Sequence, residues 1–197
     1  LGDTDFESDE TVKIKFSGSS LTADVTGTGT ISNDDTDPAQ TAKTLVLTTG
    51  TNTGSDFTGS SVADTFDAST SNSLNNGDVL AGGDGDDVLN ATFGSAHTAS
   101  VTSTSIETFN LTSGDAAVTL NLAAATGITT ITNTGSNANN LALNNIAAVP
   151  TTININTNGG DSTFQFTNAA LAGSTDDLLI NLDGATSAST ITVSRAA

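Results

Sequence analysis

Short runs of alternating apolar and polar residues recur along this chain, each about the length of one β-strand. Thr11-Val12-Lys13-Ile14-Lys15-Phe16 alternates with period two, as a half-buried strand does. Thr26 to Ile31 reads as a second extended run. From about residue 100 the runs are short and frequent: Phe109 to Leu111, Leu120 to Leu122, Ile128 to Ile131, Leu141 to Leu143, Ile153 to Ile155, Phe164 to Phe166, Leu178 to Leu182 and Ile191 to Val193. Leu122, Leu143 and Phe164 are each 21 residues apart, and Leu111, Ile131 and Ile153 are 20 and 22 apart. Two short strands per coil of about 21 residues predict a parallel β-solenoid, in which each coil buries its apolar face only by stacking on the next. An antiparallel sandwich also spaces its strands every 8–12 residues. The recurrence near 21 favours the solenoid.

Turn chemistry divides the chain. Asn33-Asp34-Asp35-Thr36-Asp37-Pro38 ends the second run and sets a boundary at about residues 36–42. The expected organisation is a β segment over 1–37, a linker over 38–43, a turn-rich acidic segment over 44–97 and a Thr/Asn-rich solenoid over 98–197. The chain starts mid-pattern at Leu1, which suggests a piece of something longer. No run of about 18 apolar residues occurs, so no membrane insertion is expected.

Charge adds a constraint. Twenty-two Asp and Glu face four Lys and Arg, a net charge of −18. A compact state with that imbalance repels itself, and divalent cations are the simplest remedy, since carboxylates are the hard oxygen ligands that calcium prefers. The missing basic footprint argues against nucleic acid as a partner. There is no Cys, and hence neither a disulfide nor a thiolate metal site. Eight Phe are the only aromatics, too few for a thick globular core.

The motif with chemistry in it lies in the second segment. Gly82-Gly83-Asp84-Gly85-Asp86-Asp87-Val88-Leu89-Asn90 fits the nonapeptide GGxGxDxUx at every fixed position. Asp78 and Leu80 stand nine residues before Asp87 and Leu89, and Gly59 to Phe66, with Asp64, is a weaker echo. Glycine permits positive φ and close backbone approach, so such a turn can curl its carbonyls inward. The aspartate adds a charged oxygen, and the apolar residue two positions later fills the interior. Stacked turns then offer carbonyls and carboxylates to Ca2+. Without the ion the aligned charges repel, and ordering of the turn should be coupled to metal binding. The bland alternative is an ordinary Asp-Gly turn between strands.

These residues resemble the RTX (repeats-in-toxin) family of type I secreted proteins. The wider run, from Thr44-Leu45-Val46-Leu47-Thr48-Thr49-Gly50 through Asp64-Thr65-Phe66 and Asp78-Val79-Leu80 to Ser105-Ile106-Glu107-Thr108-Phe109-Asn110-Leu111-Thr112, is similar to RTX-type surface-layer (S-layer) and adhesin proteins. The resemblance covers roughly residues 44–160. It implies a calcium-binding β-roll with Asp64, Asp78, Gly82, Gly83, Asp84, Gly85 and Asp87 as metal-site residues, and an extracellular, cell-surface location. Asn76 stands where the earlier repeat wants Gly, and Ser60-Ser61 interrupt the echo; both bear on the number of ions.

The first segment resembles the C-terminal half of a Calx-β domain, a sandwich of immunoglobulin type. Asp3 to Val12 is similar to its acidic loop and following strand, and Gly29-Thr30-Ile31-Ser32-Asn33-Asp34-Asp35 to its closing element. The resemblance implies Asp3, Asp5, Glu7, Asp34 and Asp35 as calcium ligands.

No enzyme site is expected. The single His, His97, has no carboxylate near it in sequence and reads as a surface residue. Glu107 and Asp115 have the makings of an acid–base pair, but Glu107 reads better as a strand-end cap or a solvent-facing residue. The expectation is an all-β, calcium-dependent structural module of a secreted bacterial surface protein whose partners are copies of itself. The alternatives are an adhesin binding a cell-surface glycan, an ice-binding solenoid with Thr129, Thr130, Thr132, Thr151 and Thr152 on one face, and the carrier region of an RTX enzyme.

Overall fold

The computed structural model describes residues 9–19, 22–32, 37, 40–114, 117–134, 140–156, 159–172, 176–184 and 189–196. The chain forms two units, Leu1–Thr41 and Ala42–Ala197. Among the described residues strand dominates, helix is confined to single 3-10 turns, and no helix is long and apolar enough to cross a membrane.

In the first unit, β1 (Glu10–Phe16) and β2 (Val25–Ile31) pair antiparallel, with Val12 opposite Gly29, Ile14 opposite Gly27 and Phe16 opposite Val25. Both strands are where the alternation puts them. Their burial differs from the half-buried expectation: every residue of both strands is exposed, Ile14 and Phe16 at 54% and 61%. Gly27 and Gly29 have no side chain with which to cover the apolar row opposite them. The Lys15–Asp24 ion pair, 2.6 Å long, joins two exposed side chains at the end of the hairpin where the chain turns from β1 to β2 and adds little stability.

The second unit is a parallel β-solenoid of about five turns. One sheet stacks β3 (Thr44–Val46), β4 (Thr65–Ala68), β6 (Val88–Phe93), β8 (Thr108–Ser113), β10 (Thr130–Thr134), β12 (Thr152–Asn156) and β14 (Leu179–Asp183). The other stacks β5 (Val79–Ala81), β7 (His97–Thr104), β9 (Val118–Ala125), β11 (Leu141–Ile146), β13 (Ser162–Phe166) and β15 (Ile191–Arg195). From β4 onward the chain alternates between sheets, so every strand pairs with the one a full coil away. Both sheets run through residues 97–98 without a break, so the acidic segment and the Thr/Asn-rich segment belong to one stack.

Stacking turns the alternating residues into columns. Leu45, Phe66, Leu89, Phe109, Ile131, Ile153 and Ile180 are neighbours in register along the first sheet. Leu120, Leu143, Phe164 and Val193 form a column along the second. Most of these residues are fully buried. At roughly 1.5–3 kcal/mol for each fully buried large apolar side chain, the columns account for a stable fold despite few aromatics. A polar link joins the sheets within the core, where Asn133 Nδ2 donates to Ser162 Oγ at 3.0 Å.

The register corrects part of the sequence spacing. Leu143 does pair with Phe164, at 21 residues, but its other neighbour is Leu120, not Leu122. Ile131 does pair with Ile153, but its other neighbour is Phe109, not Leu111. Each slip is two residues. Residues two apart share a sheet face, so an apolar spacing cannot distinguish them, and the difference is absorbed in the loops.

Candidate metal centre

The site grows from the corner residue that precedes each strand of the first sheet. Lys43, Asp64, Asp87 and Glu107 stand immediately before Thr44, Thr65, Val88 and Thr108, which are themselves in register. The first three corner amides each donate to the carboxylate one coil on, and the Glu107 amide donates back to Asp87 O. Lys43 N donates to Asp64 Oδ1 at 2.5 Å, Asp64 N to Asp87 Oδ1 at 2.7 Å, and Asp87 N to Glu107 Oε2 at 2.8 Å. These side chains satisfy corner amides that sheet pairing leaves over. Asp64 and Asp87 are 2% and 0% exposed, so the ladder holds two carboxylates out of water.

A second set of corners stacks beside it. Gly59 N donates to Ala81 O and Gly82 N to Thr104 O, which puts Gly59, Gly82 and Ser105 in register. A β-carbon on Gly82 would lie 1.6 Å from Ser105 O and 2.2 Å from Asp87 Oδ2. One on Gly59 would lie 1.7 Å from Gly82 O and 2.5 Å from Asp64 Oδ2. Glycine is required at both places because a carboxylate oxygen and a carbonyl of the next coil converge on the space a side chain would fill. Gly83 and Gly85 have φ of +108° and +112°, and a β-carbon on Gly85 would meet Ala63 N at 2.6 Å.

The two carboxylates differ in what satisfies them. Asp64 Oδ2 accepts from Ser60 N, and Ser60 Oγ reaches both its oxygens at 3.0 Å. Asp87 Oδ2 is buried and has no hydrogen-bond donor. Two acceptors then meet, Asp87 Oδ2 and Ser105 O, with no proton between them. Loss of water raises the Asp87 carboxyl pKa above its ordinary value; the Asp64, Glu107 and Asp86 charges add to the rise, and the Asp64 amide opposes it. A buried carboxylate oxygen facing a carbonyl fits a hard cation, which would be held largely by backbone oxygens. Among the described residues no group of three or more His, Cys, Asp or Glu side chains is placed to hold a metal.

The other residues singled out in the sequence are placed differently. Asp78 is 1% exposed. Its Oδ1 accepts from Asn52 N at 2.8 Å and Asn52 Nδ2 at 3.0 Å, and its Oδ2 from Asn75 N at 2.7 Å, so protein donors meet both oxygens. It stands in a different corner, before a strand of the second sheet. Asp84 and Asp86 are exposed, and Asp84 N donates to Ser60 O. Asp3, Asp5, Glu7, Asp34 and Asp35 lie outside the described residues, as does Asp115. His97 is not a free surface residue: its ring stacks on Phe93, centroids 5.2 Å apart, and its Nε2 lies 2.8 Å from Leu74 O.

Sequence reasoning missed Lys43, Ser60 and Ser105, and it took Glu107 singly, as a cap or a solvent-facing residue. The signal was present: Lys43-Thr44-Leu45, Asp64-Thr65-Phe66, Asp87-Val88-Leu89 and Glu107-Thr108-Phe109 share one corner-strand-core pattern. Compared with protein-family models, with curated proteins and with solved structures, the chain matches none.

Proposed function

We propose that this chain is a calcium-dependent structural module of a secreted bacterial cell-surface protein, one that assembles with copies of itself into a layer, sheath or filament. On this reading the turns of residues 59–64 and 82–87 are an RTX-like calcium roll stacked on a solenoid, and the first unit is a Calx-β-like segment. The observation that carries it is Asp87 Oδ2, buried against Ser105 O with no donor. A buried anion without a partner is expensive, and binding an ion there removes the cost. The whole-chain charge of −18 points the same way.

The last coil supports the assembly part. Leu182, in register with the buried Ile155, and Val193, in register with the buried Phe164, are 58% and 50% exposed, and β14 and β15 are sheet edges. Strand edges and apolar coil ends favour addition of another coil, and head-to-tail addition of identical subunits makes open filaments. The test is light scattering and negative-stain microscopy of the purified chain with millimolar calcium and with EDTA. Ordered assemblies in calcium that disperse in EDTA are expected. A chain that stays monomeric in calcium contradicts the assembly reading.

A further inference from the structure

Lys43 occupies the corner position taken by Asp64, Asp87 and Glu107 in the following coils. The second unit contains only two cationic side chains, Lys43 and Arg195, against thirteen carboxylates. Lys43 is therefore a rare charge, and its position is informative. Its Nζ donates to Gly59 O at 2.8 Å and Thr58 O at 3.1 Å. Gly59 is the first member of the corner series that continues with Gly82 and Ser105. The arrangement thus repeats from coil to coil with one change. Lys43 faces Gly59 O, Asp64 faces Gly82 O, and Asp87 faces Ser105 O. In the first pair a positive side chain meets the carbonyl. In the other two a carboxylate meets it, and at Asp87 the oxygen has no donor at all.

We propose that Lys43 is the stack's built-in cation: its ammonium does for Gly59 O and Thr58 O what a bound divalent ion does at the Asp87–Ser105 corner. The lysine closes the row of ion-binding corners at its first coil and fixes how many ions the roll takes. A carboxylate at position 43 would extend the row by one corner, because Gly59 O would then face an acceptor. The Lys43 amide would still donate to Asp64 Oδ1, since that bond belongs to the backbone. This inference rests on the calcium reading above for its ion count, and on hydrogen bonding alone for the lysine's role without metal.

The experiment compares the wild-type chain, K43M and K43D. Bound calcium per chain is measured by equilibrium dialysis with elemental analysis, and melting temperature is measured in EDTA. Wild type and K43M should bind the same number of ions, and K43D one more. In EDTA, K43M should melt about 1–2 °C below wild type, because both hydrogen bonds are solvent-exposed and lie at the low end of the net range for a unit of this size. A folded K43D with the wild-type ion count overturns the proposal. Equal melting of K43M and wild type in EDTA overturns it too, even if K43D does not fold. If wild type binds no calcium, the calcium reading fails on its own, and the EDTA comparison still decides whether the Lys43 ammonium holds the Gly59 and Thr58 carbonyls.

Discussion

Asp64 N donates to Asp87 Oδ1 at 2.7 Å across 23 residues of sequence. The bond ties one coil to the next and leaves the second oxygen of Asp87 turned toward Ser105 O. One carboxylate thus has two tasks, accepting a buried amide and offering a charge to an ion, and the tasks separate by substitution.

Asp87→Asn keeps an oxygen for Asp64 N and puts an amide donor where Ser105 O needs one. In EDTA it should be at least as stable as wild type, and in calcium it should lose most of the ion-dependent gain. Asp87→Ala leaves Asp64 N–H buried without an acceptor, which costs about 1–3 kcal/mol. Urea denaturation of both variants, with calcium and with EDTA, checks the pair.

Acid should help the metal-free protein. Burial raises the Asp87 pKa above its ordinary 3.8, so the folded state takes up a proton more readily than the unfolded chain. Ionised Asp87 weakens the fold at any pH above its folded pKa, and that penalty fades as pH falls toward 3.8. Asp67 runs the other way: its hydroxyl and amide bonds from Ser69 lower its pKa, so its small contribution is lost only below 3.8. Melting in EDTA should therefore rise from pH 7 toward pH 4. Relief of the net negative charge acts in the same sense, so the decisive comparison is Asp87→Asn, whose profile should rise less.

The strands were legible in the sequence because alternation fixes which face each residue takes. Register was not, since Leu120 and Leu122 share a face and only the coil length chooses between them. The nonapeptide located the Gly82–Asp87 turn, but it gave Asp78 and Asp87 equal weight. Their environments differ through Asn52 and Asn75, which satisfy Asp78 across sequence separations of 26 and 3 residues. Ser60 read as a lapse from the repeat; in three dimensions its hydroxyl is the donor that Asp87 lacks. Lys43 was invisible because the corners recur at uneven intervals of 21, 23 and 20 residues, and no fixed period connects them.

Gly85→Ala should be among the most disruptive single changes in the roll. The residue has φ of +112°, and its new β-carbon would meet backbone at Ala63 N. Left-handed strain of about 1–3 kcal/mol adds to the backbone shift. Gly18→Ala, with nothing within 4 Å of its β-carbon, is the control and should change stability little. Thermal melting in calcium compares them.

Phe109 sits between Leu89 and Ile131 in the longest column and is fully buried. Phe109→Ala should cost about 3–5 kcal/mol. Because each coil contacts only its neighbours, amide exchange should quicken most in β6, β8 and β10 and least in β3 and β14. Uniform acceleration across every strand would contradict the coil-by-coil account.

The most direct test of the central claim is the melting temperature of the wild-type chain in EDTA and in saturating calcium. An ion that binds only the folded state at a hundred times its Kd adds about 2.7 kcal/mol per site, or roughly 5–10 °C for a unit of this size. The account predicts a rise of at least that order, nearly abolished in Asp87→Asn. Equal melting temperatures in the two buffers would contradict it.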